Sequence, residues 1–269
     1  MTTLNSNRDF VLAVLHAIAT TPALRPLADS LVLKGGIALL VHWGSQRVSR
    51  KDIDFGLITK NYQLSQRDSD TLLAALDEWG AVAKNGNRSI ARKGDGIDTP
   101  VIEYTHPVTG ERGELTLQVN ASQVPPILLD DILAQDPIAL TTHKGQKFSF
   151  KALMLEEIAG EKICRLMRPD KMPPRLVDLY DIGFCAKQPE FDETKLACVV
   201  REHKKERSEG RLIKVDQMLP VVGKLLKDGD GAQKIMARRQ AFFGPGVNDA
   251  QISALAKDGL DILKRAVGK

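Results

Sequence analysis

Up to about residue 150, short β-type runs alternate with helical ones: LVLK, GIALLVHW, DIDFGLI, SDTLLAALDEWG, VIEY and ELTLQVN. A strand buries every second side chain and a helix every third or fourth, so this mixture predicts a small mixed β-sheet with helices. Beyond residue 150 the spacing is helical almost throughout, in ALMLEEIAGEKICRLM, RLVDLYDIGFCA, ETKLACVVREHKK, GAQKIMARRQAF and DAQISALAKDGLDILKRA. The expected architecture is α+β: a sheet-bearing lobe over residues 1–150, then a helical lobe over 151–269. The connection, QDPIALTTHKGQKFSF, contains no low-complexity linker and is expected to be a packed junction. There is no internal repeat.

The opening RDFVLAVLHAIATTPALRP resembles a short secretory signal, but Asp9 and His16 interrupt it and its apolar residues recur at helical spacing. It reads as an amphipathic first helix. No run approaches the eighteen or so apolar residues of a membrane span, so a soluble protein without membrane contact is expected, and the few scattered cysteines suit a reducing cytoplasm.

The 269 residues allow one large domain or two small ones, each able to bury an ordinary core. Cys164, Cys185 and Cys198 are too few and too scattered for a disulfide framework, and the five histidines never take a paired zinc spacing. The net charge of +4 is uneven, −1 over residues 1–150 and +5 over 151–269, with basic clusters in REHKKERSEGR and MARRQ. Such an excess suits a nucleic-acid partner, since Lys and Arg displace counterions from phosphates; it equally suits a solvated helical surface.

Against this background DIDFGLI is unusual, because it sets two charges inside an apolar run. On a strand, Asp52 and Asp54 share one face while Ile53 and Phe55 point to the other. Two carboxylates on one face, about 7 Å apart, can jointly hold divalent cations. The Asp-x-Asp pattern alone is weak, for it recurs at Asp68/Asp70, a helix start, and at Asp228/Asp230, where Gly229 marks a turn. The context is stronger. Lys34-Gly35-Gly36 closes a strand-like run and opens a helix, and Gly44-Ser45 closes that helix ahead of the aspartates. Glycines let backbone N–H groups approach an anion, and a serine hydroxyl can donate to a phosphate; each glycine could also be a plain cap or turn.

LVLKGGIALL followed by GSQRVSRKDIDF resembles the opening of the nucleotidyltransferase toxins of the AbiEii/AbiGii and MenT type, in the polymerase-β-like nucleotidyltransferase superfamily. The resemblance resumes after the junction and spans roughly residues 31–58 and 153–183. It implies a Gly-Ser plus Asp-x-Asp site for Mg2+ at Asp52 and Asp54. It also implies a helix lysine, Lys162 in EEIAGEKICRLMR, and an Arg-Asp-x-x-Asp-Leu element that supplies Asp178 and Asp181 in VDLYDI. Ile158, Ala159 and Leu166 lie three or four residues from Lys162 and Leu155 seven, two turns away, so this lysine should face the lobe junction, or snorkel at the edge of the stripe. Lys34, Gly35, Gly36, Gly44, Ser45, Arg47 and Arg168 are the expected nucleotide-binding residues.

Three positions depart from the family pattern. Arg50 stands where a Ser or Thr often precedes the aspartates, which argues against regulation by phosphorylation there. Leu166 takes the hydroxyl position of the lysine motif, and Val177 replaces the arginine before Asp178. A third carboxylate, common in the superfamily, would fall on GELTLQVN where Gln118 stands; Glu114 or Glu103 are the alternatives. The implied activity is transfer of a nucleoside monophosphate from an NTP to RNA, at the tRNA 3′ end. The implied partner is a separately encoded antitoxin with a winged-helix DNA-binding domain, and the implied role is phage defence by growth arrest. A small-molecule acceptor, or a nucleotide-binding pseudoenzyme acting through a protein partner, are the alternatives.

Overall fold

The structure is a computed structural model that describes residues 3–45, 52–58, 65–84, 97–98, 101–120, 126–167, 176–206, 220, 243 and 247–268. The chain divides into two compact units, Met1–Leu153 and Met154–Lys269.

The first unit opens with α1 (Thr3–Thr20), a 3-10 turn, α2 (Arg25–Ser30), β1 (Leu31–Lys34), α3 (Gly35–Val41) and β2 (Asp52–Leu57). There follow α4 (Gln66–Ala75), β3 (Val82–Ala83), β4 (Ile97–Asp98), β5 (Val101–Thr105) and β6 (Arg112–Asn120). The unit ends with α5 (Leu129–Ala134), β7 (Ile138–Thr141) and β8 (Lys147–Phe150). The main sheet runs β1-β2-β6-β5-β3, with β4 also paired to β6. β2 and β6 are parallel and the other pairs antiparallel, so the sheet is mixed as expected.

Alternation decides which face is covered. Ile53, Phe55 and Leu57 of β2, Leu115, Leu117 and Val119 of β6, and Ile102 and Tyr104 of β5 are all buried. Phe10 of α1 stacks on Tyr104 with ring centroids 3.8 Å apart, and Phe55 meets Phe150 of β8 at 5.8 Å. Each such side chain withdrawn from water contributes about 1.5–3 kcal/mol. The outer edge of β1 is covered by residues 151–153: Leu33 N–H donates to the Lys151 carbonyl at 2.8 Å and Leu153 N–H to the Leu33 carbonyl at 2.9 Å.

One local expectation changes. The segment read as a plain connection holds the β7–β8 hairpin, turned at Gly145 (φ 80) with Gly145 N–H donating to the Thr142 carbonyl. The helix start expected at Asp68 and Asp70 is present: Ser65 is the N-cap of α4, and Asp68, three residues on, accepts from the Ser65 N–H to complete a capping box.

The second unit contains α6 (Leu155–Leu166), α7 (Leu176–Ala186), α8 (Glu193–Glu206) and a long C-terminal helix, α9 (Asp249–Gly268). The helix expected at GAQKIMARRQAF lies outside the described residues. α7 and α9 touch backbone to backbone: a Cβ on Gly183 would sit 1.9 Å from the Leu255 carbonyl oxygen, and one on Gly259 would sit 2.0 Å from that of Leu179. Only glycines permit so close a crossing.

Candidate active site

β2 presents its aspartates as its period requires. Asp52 is exposed and Asp54 half-buried on one face, while Ile53 and Phe55, 0% and 1% exposed, fill the other. The register sets Asp54 opposite Lys34 on β1 and opposite Gln118 on β6, and sets Asp52 opposite Thr116. Lys34 lays its stem across the same face, its Cδ 3.7 Å from the point a Cβ on Gly56 would take.

The glycine after Lys34 is required twice over. Gly35 has φ +67, a left-handed conformation that strains any residue with a Cβ. A Cβ there would also come within 3.0 Å of Asp54 Oδ2. The start of α3 is thus pressed against the Asp54 carboxylate. α3 is short and glycine-led, so its stability comes from buried Ile37, Ala38, Leu39 and Val41 more than from propensity. Beyond it, Gly44 has φ +68, and Ser45 N–H turns back to donate to the Leu39 carbonyl at 2.9 Å. Ser45 is 2% exposed, and its hydroxyl has no hydrogen-bond partner among the described residues. An unsatisfied buried hydroxyl costs about 1–3 kcal/mol, which an accepting ligand would offset.

Glu114 and Glu103, the alternative third acids, face each other across β5 and β6. Lys84 forms an ion pair with Glu114 and lies 3.7 Å from Glu103, so both carboxylates already have a cation. The position beside Asp54 on β6 is Gln118, a neutral side chain. Among the described residues no group of three or more His, Cys, Asp or Glu is arranged to hold a metal ion. Two hard carboxylate oxygen donors on one open face nevertheless fit Mg2+, which is commonly held by one or two carboxylates with substrate phosphates completing its shell.

In the second unit, Lys162 is only 9% exposed, within the buried stripe of Leu155, Ile158, Ala159 and Leu166. Its Nζ lies 2.7 Å from Asp181 Oδ2 and 3.4 Å from Asp178 Oδ1. Asp178 Oδ2 is 3.7 Å from Arg165 Nε. A spacing of three brings both aspartates to one face of α7, where they meet the same ammonium. Cys185 is fully buried, and its thiol is pushed well above its ordinary range by burial first and by the charge of Asp181 next. Glu156 also titrates higher than usual because it is buried, though the Asp192 N–H donates to its Oε1 at 2.6 Å.

Arg165 is a residue that motif reading passed over. Helical spacing was the available signal, since it stands one turn beyond Lys162. Arg47 and Arg168 lie outside the described residues.

The chain is a nucleotidyltransferase. Residues 21–257, most of its length, match the family model of the nucleotidyl transferase AbiEii toxin of type IV toxin–antitoxin systems, and the chain belongs to that family. Membership implies an antitoxin partner. Among solved structures it resembles JHP933 from Helicobacter pylori, with 17% identity and a TM-score of 0.56 over 98% of this chain and 91% of that one. That likeness is one of fold. A second H. pylori protein, provisionally assigned as a nucleotidyltransferase, aligns with 18% identity and a TM-score of 0.49, over 97% of this chain and 96% of that one. No curated protein matches the sequence. Among the described residues no single helix is long and apolar enough to cross a membrane.

Proposed function

We propose that this toxin transfers a nucleoside monophosphate from an NTP to an RNA acceptor, the 3′ end of tRNA, in the cytoplasm. The observation that carries the reading is the contact of α3 with Asp54: the Cβ-less Gly35 lies directly against that carboxylate. Phosphates received by the Gly35 and Gly36 N–H groups would lie beside a cation held by Asp52 and Asp54. Mg2+, when bound there, would offset negative charge on the phosphates and orient an incoming hydroxyl.

The chain's own groups do the rest. The buried Ser45 hydroxyl donates to a phosphate oxygen, and Lys34 balances charge on the same face. Lys162 supplies a positive charge to the phosphates, and Asp178 orients that ammonium or the acceptor hydroxyl. Arg47 and Arg168 are the further nucleotide-binding cations that the family resemblance implies. Little covalent chemistry is asked of the protein, since phosphoryl transfer is promoted mainly by positioning and electrostatics. The net charge of +5 over residues 151–269 favours a polyanionic acceptor. A capped tRNA end cannot be aminoacylated, so growth arrest and phage defence follow, held in check by the antitoxin.

The test is wild-type protein against Asp52→Ala, each with four labelled NTPs, Mg2+ and total tRNA, resolved on a denaturing gel, with aminoglycosides as a parallel acceptor. Label entering tRNA from the wild type alone, and lost with EDTA, supports the proposal. Equal labelling by both proteins overturns the site, and label on the antibiotic overturns the acceptor.

A further inference from the structure

The two aspartates of α7 do not hold Lys162 equally. Asp181 is 0% exposed, and its 2.7 Å contact has the length of a strong charge-assisted hydrogen bond. Asp178, 1% exposed, reaches the same ammonium from 3.4 Å, near the outer limit of a hydrogen bond, and its second oxygen faces Arg165. An ammonium has three N–H donors, so one can stay with Asp181 while the others change partner.

We infer that Asp181 is the positioning residue of Lys162: it fixes the ammonium in place and keeps it charged, and the longer contact to Asp178 is the one exchanged for an anionic oxygen. This rests on the reading that Lys162 serves the NTP phosphates. Without such an anchor, a lysine withdrawn from water would shed its proton or swing on its four-carbon stem.

The surrounding ionisable groups agree with this division. On α6, Arg165 faces Asp178, and Glu156 is occupied by the Asp192 N–H. On α8, His203 Nε2 lies 3.7 Å from Glu157 Oε2, a separate pair between α6 and α8. On α7, Cys185 is one turn beyond Asp181, and burial keeps its thiol neutral, so it does not compete for the ammonium. α9 meets α7 through Gly183 and Gly259, backbone against backbone.

Competitive acylation of lysine amines, read by mass spectrometry, gives the pH midpoint of Lys162 in the folded chain without any transfer reaction. Asp181→Asn is expected to lower that midpoint by about one unit or more, and by more than Asp178→Asn does. With labelled NTP and total tRNA, Asp181→Asn lowers kcat on the order of 100-fold with little change in KM, because orientation is lost while binding persists. The alkaline limb of its kcat profile moves to lower pH. A midpoint drop no larger than that of Asp178→Asn, or an alkaline limb that does not move, overturns the assignment. Should the wild type transfer nothing to tRNA, the proposed function falls, and the order of the acylation midpoints decides the pairing by itself. If Asp181→Asn does not fold, Lys162→Met is compared with and without it. Removing both charges raises Tm above that of Lys162→Met and lowers transfer no further, whereas an additional rate loss overturns the assignment.

Discussion

Each unit carries a pair of nearby aspartates, and the two pairs live in opposite surroundings. Asp52 and Asp54 stand on the open face of a sheet, exposed and half-buried, over a backbone thinned to glycine at Gly35. Asp178 and Asp181 are sunk in a helical core, 1% and 0% exposed, where Lys162 meets both. A carboxylate pair in a core must fold together with a cation, because an unpaired buried charge is too costly, whereas water solvates an exposed carboxylate and makes no such demand. The contrast suits the proposal above, in which the first pair receives a cation with the substrate, while the second must satisfy Lys162 within the core before that lysine can serve the phosphates.

The largest effect should separate the two by stability alone. Asp181→Ala strips Lys162 of its nearest partner, and breaking a buried pair costs about 3–5 kcal/mol. Asp52→Ala alters an exposed position and is expected to change stability by no more than about 0.5 kcal/mol. Urea unfolding followed by circular dichroism gives both midpoints. Comparable losses would erase the contrast between a pair on an open sheet face and a pair sunk in a core.

That contrast was half legible in the sequence. Period-two alternation fixed the faces of β2, because Ile53 and Phe55 could not be left in water. The helical spacing placed Lys162 in an apolar stripe and Asp178 with Asp181 on one side of α7. Which aspartate comes closer is set by how α6 packs on α7, and no local pattern encodes that. The neighbour of Asp54 was legible through the family resemblance, which expects a third acid where Gln118 stands; no local pattern encodes the parallel pairing that sets Gln118 beside it. The β7–β8 hairpin lies in the segment expected as a packed junction; the alternation of KFSF and the turn residues Lys144-Gly145 were its signals. The alternating rows of β2 and β6 carried the fold class, and these pair as the α+β reading expected.

A smaller effect sharpens the reading of the open pair. Gly35→Ala and Gly44→Ala both force a Cβ onto left-handed backbone, at φ +67 and +68, and each should cost about 1–2 kcal/mol. Their surroundings differ. A Cβ on Gly44 meets nothing within 4 Å, while one on Gly35 meets Asp54 Oδ2 at 3.0 Å. Both variants should thus lose similar stability, but only Gly35→Ala should weaken binding of a luminescent lanthanide or of Mn2+, because only there is the carboxylate displaced. Equal ion binding by the two would detach Gly35 from the metal site.

The smallest effect tests whether the sheet unit buries its polar groups neutral where the helical unit buries them charged. Tyr104 is 3% exposed, stacks on Phe10, and hydrogen-bonds through its hydroxyl to Asn7 Oδ1. Burial, with Glu111 adding to it, pushes its phenol up from the ordinary 10.0 to about 12. The folded value lies above the unfolded one, so its contribution to stability is intact below pH 10 and is lost as pH rises toward 12. At pH 11 that loss is about 1 kcal/mol. Tyr104→Phe removes the ionisation together with one hydrogen bond, so it should start about 1 kcal/mol less stable at neutral pH and then decline less than wild type between pH 10 and 12. Both tryptophans, Trp43 and Trp79, lie in the first unit, and Trp79 is 6.1 Å from Tyr104, so tryptophan fluorescence during denaturant unfolding reports on that unit. Parallel pH profiles for the two proteins would mean that the phenol titrates in its core at no extra cost, and the distinction between a neutral and an ionic interior would fail on the sheet side.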